Sequence, residues 1–146
     1  MLDRIRQRSR EESGFTLVEL LVVMLILGIL AAIAVPSFFS QKDKARDADA
    51  KAYARTAETA VETVATDRDG SYAGIVVADL TLAEATLTGA DLAVVSTDDT
   101  YTVTVTSDTD NTFSISRLAD GTSTLDCTIA DPNKPGGCPP ATLSWG

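Results

Sequence analysis

Histidine is absent from this 146-residue chain. With it go the commonest general base, the usual zinc ligand and every Ser-His or Cys-His pair. Cations are scarce as well: 12 Lys and Arg face 21 Asp and Glu, for a formal net charge of -9. That balance argues against direct nucleic-acid binding through a basic face. Aromatics are only 5% of the residues, while Thr, Ala and Asp are plentiful. No phosphate-cradling glycine loop, nucleophile elbow or metal-ligand cluster occurs, so no cofactor is expected and an enzyme reading has no residues to rest on. Cysteine is limited to Cys127 and Cys138. Beyond a membrane span, that pair points to an oxidising compartment and one disulfide.

What the chain does have is a long apolar run. From Leu20 to Val35 no side chain is charged or hydrogen-bonding. As a helix, Phe15 to Phe39 covers roughly the ~30 Å hydrocarbon core of a bilayer. Arg4, Arg6, Arg8 and Arg10 precede it, which places the N-terminus in the cytoplasm and the C-terminus outside. A cleaved secretory signal has an A-x-A imitation in Ala31-Ala32-Ile33-Ala34, but Glu19 and the continuation to Phe39 weigh against it. Glu19 is the anomaly. A charge at the centre of a membrane helix costs about 2.5–3.5 kcal/mol, less near an end, and marks a functional position with a partner to be named.

Gly14-Phe15-Thr16-Leu17-Val18-Glu19, after a short basic leader and before an apolar helix with Pro36, resembles the type IV pilin and pseudopilin family. The likeness covers the leader and the first helix, roughly the first third of the chain. It implies that a membrane-embedded prepilin peptidase cuts after Gly14, that residues 1–14 are lost, and that the new terminus, Phe15, is N-methylated. The apolar segment then stays with the mature protein. It further implies extraction from the membrane by an assembly ATPase and a platform protein. Glu11 and Glu12 near the cut depart modestly from the family pattern.

Once the chain is cut, Phe15 bears a cationic amine one helical turn from Glu19. Two charges, each costly in a dry environment, become tolerable when paired between neighbouring subunits. Snorkelling of Glu19 to lipid headgroups is the plainer alternative. Further on, Pro36 removes the hydrogen bond to the carbonyl of Ala32, and Gly28 adds a second weak point, so a kink or local unwinding is expected from Gly28 to Pro36. In the family this corresponds to a segment that melts on filament packing; an ordinary proline kink is the alternative.

Gln41 to Thr66 lacks Gly and Pro and is rich in helix formers. Ala50, Tyr53/Ala54, Ala57, Ala60/Val61 and Val64 form one amphipathic stripe. Asp47/Lys51 and Arg55/Glu58 have spacings for intrahelical ion pairs on the other faces. Asp67-Arg68-Asp69-Gly70-Ser71 ends the helix, with Gly70 as a left-handed cap. Tyr72 to Leu92 is ambiguous: Ile75-Val76-Val77 fits a short strand, and Leu80 to Leu87 a helical turn or two packed on the sheet. Leu92 to Thr97 precedes two alternating runs, Thr100 to Thr106 and Thr112 to Leu118, whose Tyr101, Val103 and Val105 share one face. Thr122 to Thr128 completes a three- or four-stranded antiparallel meander. Trp145, with Leu143, covers the sheet edge or the helix, surface adhesion being the sharper alternative.

The fold expected is α+β: a long bent N-terminal helix, residues 15–66, with its apolar transmembrane half at 15–39, packed on a small antiparallel sheet in a head of residues 67–146. Asp108 and Asp110 are weak Ca²⁺ candidates, lacking the glycine and distal glutamate of a calcium loop. The leader's four arginines against three acids leave it at +1, so residues 15–146 carry -10. The function expected is structural: a single-pass membrane precursor that polymerises with itself into an extracellular pilus-like filament. A pseudopilin of type II secretion is the first alternative, and a monomeric membrane-anchored binding module the second.

Overall fold

The computed structural model describes residues 14–146, which divide into two compact units between Phe38 and Phe39. The leader expected at residues 1–13 lies outside the described residues. One helix, α1 (Leu17–Thr66), crosses the division without a break. It starts two residues after Phe15 because Thr16 is its cap: the Thr16 hydroxyl accepts from the Glu19 N–H at 3.2 Å, and the Leu20 N–H donates to the Thr16 carbonyl. Gly28 and Pro36 both lie within the helix in the single chain. Proline removes one backbone bond, and the strongly helix-forming apolar residues on either side carry the helix across it.

In the first unit the described apolar side chains stand exposed. Its large apolar residues from Phe15 to Val35 are between 45 and 78% exposed. The segment is long and apolar enough to cross a membrane, and none of its 18-residue apolar window is buried.

The second unit holds the core. Ala50, Ala54, Ala57, Ala60, Val61 and Ala65 line the buried stripe of α1, with Tyr53 and Val64 at its margins. The helix ends as its turn formers dictate: Asp69 and Gly70 take positive φ, and the Gly70 N–H donates to the Ala65 carbonyl at 2.8 Å. Residues 75–77 are not a strand. Val76 is instead the N-cap of α2 (Val77–Ala83), where the Asp79 carboxylate accepts from the Val76 N–H. That local capping bond outweighs the strand preference of the valines, and the buried Leu80 pins the short helix to the core. A 3-10 turn at Ala85–Gly89 follows.

Four strands then form an antiparallel meander in the order β1 (Asp91–Ser96), β2 (Tyr101–Thr106), β3 (Thr112–Arg117) and β4 (Ser123–Thr128). Register aligns Val94, Val103, Ile115 and Leu125 in one inward rank and Leu92, Val105, Phe113 and Cys127 in the next. Tyr101, Val103, Val105, Phe113 and Ile115 are buried, and the alternate Thr and Ser side chains form the outer face. Trp145 closes the far edge. Its indole N–H donates to the Asp126 carbonyl at 2.9 Å, its ring meets Phe113 edge-on at 6.1 Å, and Ser144 bridges to Asp126.

The buried alanines of α1 pack into the core with the inward residues of this sheet and leave little room for a larger side chain. Ala54→Leu or Ala57→Leu should destabilise the head by about 1–3 kcal/mol through overpacking. The exposed Ala52→Leu should be neutral. Thermal unfolding of the full chain in detergent, followed by near-ultraviolet circular dichroism, checks both.

Candidate assembly site and head clamp

The N-terminal site is short and open. Gly14, Phe15 and Thr16 precede the helix in extended chain, and a side chain at Gly14 would meet nothing within 4 Å. This leaves the Gly14–Phe15 peptide bond accessible. Phe15 is 78% exposed, and Glu19 stands in the first helical turn. The carboxylate of Glu19 has no hydrogen-bond or ion-pair partner among the described residues. Its backbone does have a role that the sequence pattern Thr16-x-x-Glu19 could have revealed, since Thr-x-x-Glu is the signature of a capping box. A carboxylate in the first turn also sits favourably against the positive end of the helix dipole.

The second unit contains a polar cluster that sequence reading missed. Asp47 is fully buried on α1. It is not paired with Lys51, as its spacing predicted. Its carboxylate instead accepts from the Thr109 hydroxyl at 2.5 Å, the Asn111 side-chain amide at 2.9 Å and the Gly137 N–H at 2.7 Å. Lys51 donates to the Gly137 carbonyl at 2.7 Å, so two helical residues grip both sides of one glycine. Arg55 and Glu58 do form the expected pair, at 3.1 Å. Asn111, also fully buried, donates to the Pro135 carbonyl and accepts from the Ala130 N–H.

Glycines make the grip possible. Gly136 has a positive φ of 55°, and a Cβ there would strike the Asp47 carboxylate; one on Gly137 would lie 2.9 Å from the Asp47 Cβ. The disulfide between Cys127 and Cys138 ties the same loop to β4, with Cα atoms 5.9 Å apart. Burial pushes the Asp47 carboxyl up, but the bonds from Thr109, Gly137, Ser107 and Asn111 outweigh it and hold the group below the ordinary carboxylate value. A second junction sits higher on the helix. Glu62 accepts from the hydroxyls of Tyr72 and Tyr101 at 2.9 and 3.0 Å and from Arg117 at 3.3 Å. Burial and the Glu62 charge push both phenols up, so they remain donors at neutral pH.

Asp108 and Asp110 lie exposed in the β2–β3 turn, Asp110 at a positive φ of 65°. Among the described residues no group of three or more His, Cys, Asp or Glu side chains is placed to hold a metal ion.

The chain thus carries an exposed membrane-length helix, preceded by an accessible Gly-Phe bond and followed by a helix-and-sheet head. The family described as the prokaryotic N-terminal methylation motif matches residues 9–35. Among similar curated proteins, the type II secretion system core protein G of Pseudomonas aeruginosa is 52% identical over 44 residues, 30% of this chain and 31% of that protein. The type IV major pilin protein PilA of Myxococcus xanthus is 35% identical over 66 residues, 45% of this chain and 30% of that one. A type IV narrow pilus major component of Thermus thermophilus is 49% identical over 47 residues, 32% and 40% of the two chains. No solved structure matches the chain. This motif, these likenesses and the fold support a type IV pilin-family protein. It spans about a third of the length of the curated relatives it matches.

The clamp predicts acid lability. Asp47→Ala would strand three donors and should cost about 3 kcal/mol or more. Because the folded carboxyl titrates below its unfolded value, its contribution is complete above about pH 4 and lost as the pH falls further. Melting temperature should therefore drop more steeply between about pH 4 and pH 2 in the native chain than in Asp47→Asn, which has no group titrating there. Opening the disulfide with Cys127→Ser should remove roughly 2.5–3 kcal/mol by the chain-entropy account, less when Asp47 is already replaced, since both hold one loop.

Proposed function

We propose that this chain is a filament subunit, a prepilin whose mature form polymerises into a pilus-like fibre. The observation that carries the reading is the apolar half of α1, wholly uncovered, with one carboxylate a turn from an accessible Gly14–Phe15 bond. Residues 1–14 are a leader cut by a prepilin peptidase after Gly14. Phe15 becomes the N-methylated terminus. The precursor waits in the membrane with its leader in the cytoplasm, then leaves it through an assembly ATPase and platform protein.

In the fibre, apolar helices of many copies bury one another, and Glu19 of each pairs with the Phe15 amine of a neighbour. That pairing sets the axial register, since no other position of the segment offers an opposite charge. Gly28 and Pro36 are where the helix yields if the packed bundle requires it. The fibre serves as structure, and no chemistry is asked of the chain.

A second reading, a subunit of a short type II secretion pseudopilus, is favoured by the likeness to proteins named as that system's core protein G. Shearing of cells followed by microscopy and immunoblotting separates the readings. Long surface fibres containing this chain support the pilus. Fibres only on overproduction of a secretion system support the pseudopilus. A chain that never leaves the membrane fraction points to a monomeric anchored binding module and defeats both.

Two substitutions follow. Glu19→Val should cut sheared fibre at least tenfold while leaving membrane insertion and the Cys127–Cys138 disulfide unchanged; fibres of normal yield and register would sink the pairing. Gly14→Val should leave the leader attached, and mass spectrometry would then find neither a terminus at Phe15 nor its methylation.

A further inference from the structure

The loop that Asp47 and Lys51 grip leads directly into one of the two cysteines. Gly137 donates its N–H to the Asp47 carboxylate and accepts from the Lys51 ammonium, each at 2.7 Å, and Cys138 is the next residue. Asn111 is the third anchor, donating to the Pro135 carbonyl at 3.3 Å and accepting from the Ala130 N–H at 3.0 Å. Inside the loop, the Cys138 N–H donates to the Pro135 carbonyl at 2.9 Å. None of these bonds involves sulfur.

Cys127 is placed by other means. It lies in β4 opposite Phe113 of β3, and its N–H donates to the Leu143 carbonyl. Both cysteines are buried in the core cluster. Two separately held segments therefore bring the sulfurs together, one fixed by the sheet and the other by α1 and Asn111.

The two cysteines are 11 residues apart in sequence. Without the anchors, Cys138 would hang on a free tether, and closing the ring would carry the full loop entropy. Docking of the loop on α1 removes most of that entropy before any sulfur reacts.

We propose that docking of this loop gates the oxidation of Cys127 and Cys138, with Asp47 and Lys51 as the positioning residues. The oxidant is a disulfide, glutathione disulfide in the simplest case. One cysteine thiolate attacks it, forming a mixed disulfide and releasing the first glutathione as thiol. The other cysteine thiolate then attacks the mixed disulfide; the Cys127–Cys138 bond forms and the second glutathione leaves as thiol. Two electrons pass from the cysteines to the oxidant, and the two thiol protons end on the released glutathiones. Only the second step is intramolecular, so it alone depends on how the fold presents Cys138 to Cys127.

Because the grip comes from α1, oxidation reads the register of helix on head. A slip of one residue puts Arg46 or Ala48 where Asp47 stands, the loop loses its anchor, and the thiols stay apart. The disulfide becomes a covalent record of correct docking. Coupling is reciprocal, so the closed bond in turn holds the loop at Asp47. This gating lies within the second unit and holds whether or not the chain forms a fibre.

The test equilibrates the full chain in detergent with mixtures of reduced and oxidised glutathione, then alkylates free thiols and separates the forms on a non-reducing gel. The ratio at each mixture gives the effective concentration of one cysteine toward the other. Asp47→Ala should lower it about tenfold or more. Lys51→Met keeps the stem beside Phe113 and Trp145, loses the bond to Gly137, and should lower it about threefold or more. Glu62→Gln loosens α1 at a junction that does not touch the loop, and should stay within about twofold of native.

Near-ultraviolet circular dichroism establishes that each reduced head is folded; if reduced Asp47→Ala is not, Lys51→Met decides alone. A native effective concentration in either folded loop-grip variant overturns the proposal. A loss in Glu62→Gln as large as in Lys51→Met overturns it too, since general stability would then be the cause.

Discussion

An apolar helical surface that the chain does not cover governs everything else in this protein. Burying one large apolar side chain is worth roughly 1.5–3 kcal/mol, and more than a dozen stand exposed between Phe15 and Phe39. Water is therefore excluded as the resting environment of this segment. Lipid and a bundle of like helices are the two surroundings that remain, and aliphatic side chains alone do not discriminate between them. Glu19 does. In lipid its carboxylate must be neutralised or drawn to the headgroups; in the filament proposed above it would meet the amine of a neighbouring helix. The cap supplied by Thr16 holds Glu19 in the first turn, so the carboxylate keeps a fixed height above the terminus.

The head is fixed to α1 along the alanine stripe, which by itself is a weak fixture. Alanine buries little area, so the close approach it permits must be secured by other means. Asp47 and Glu62 do this at two heights on α1. A buried carboxylate is costly unless every lone pair finds a donor, and Asp47 finds three from two separate segments. This raises the penalty for misregistration more than it raises stability. Rotating or sliding the helix by one residue would strand a buried charge, whereas it would only exchange one alanine for another in the stripe. The disulfide closes the same circuit by holding Gly137's loop to β4.

Local signals in the sequence were sufficient for the elements. Alternation at Tyr101, Val103 and Val105 marks the inward face of β2, the turn formers Asp67 to Ser71 end α1, and Trp145, expected at the sheet edge or the helix, lies at the edge. The failures have one cause each. Val76 and Val77 look like a strand, but Asp79 three residues beyond caps them into a helix. Asp47 looks like half of an i,i+4 pair, but its partners lie 62 to 90 residues away, where no periodicity reports them. The N-cap at Thr16 is legible in Thr16-x-x-Glu19, although only the Thr16 half of a capping box forms. The N-terminal motif, by contrast, is contiguous, which is why it could be read without the fold.

The placement of the weak points on α1 follows the same division. Gly28 and Pro36 precede Phe39, where the head unit begins, and Asp47 is the first residue of α1 buried in that head. Roughly two turns of charged helix, Ser40 to Arg46, intervene without a buried residue. Unwinding between Gly28 and Pro36 would therefore break backbone bonds in the apolar segment and none of the contacts at Asp47, Lys51 or Glu62. In the filament proposed above, such an arrangement would let the core lengthen at the expense of helix alone. The energy required is that of a few hydrogen bonds beside a proline that has already removed one. A clamp placed twenty residues earlier would have tied the head's stability to the helix's extension; placed at Asp47, it leaves them independent.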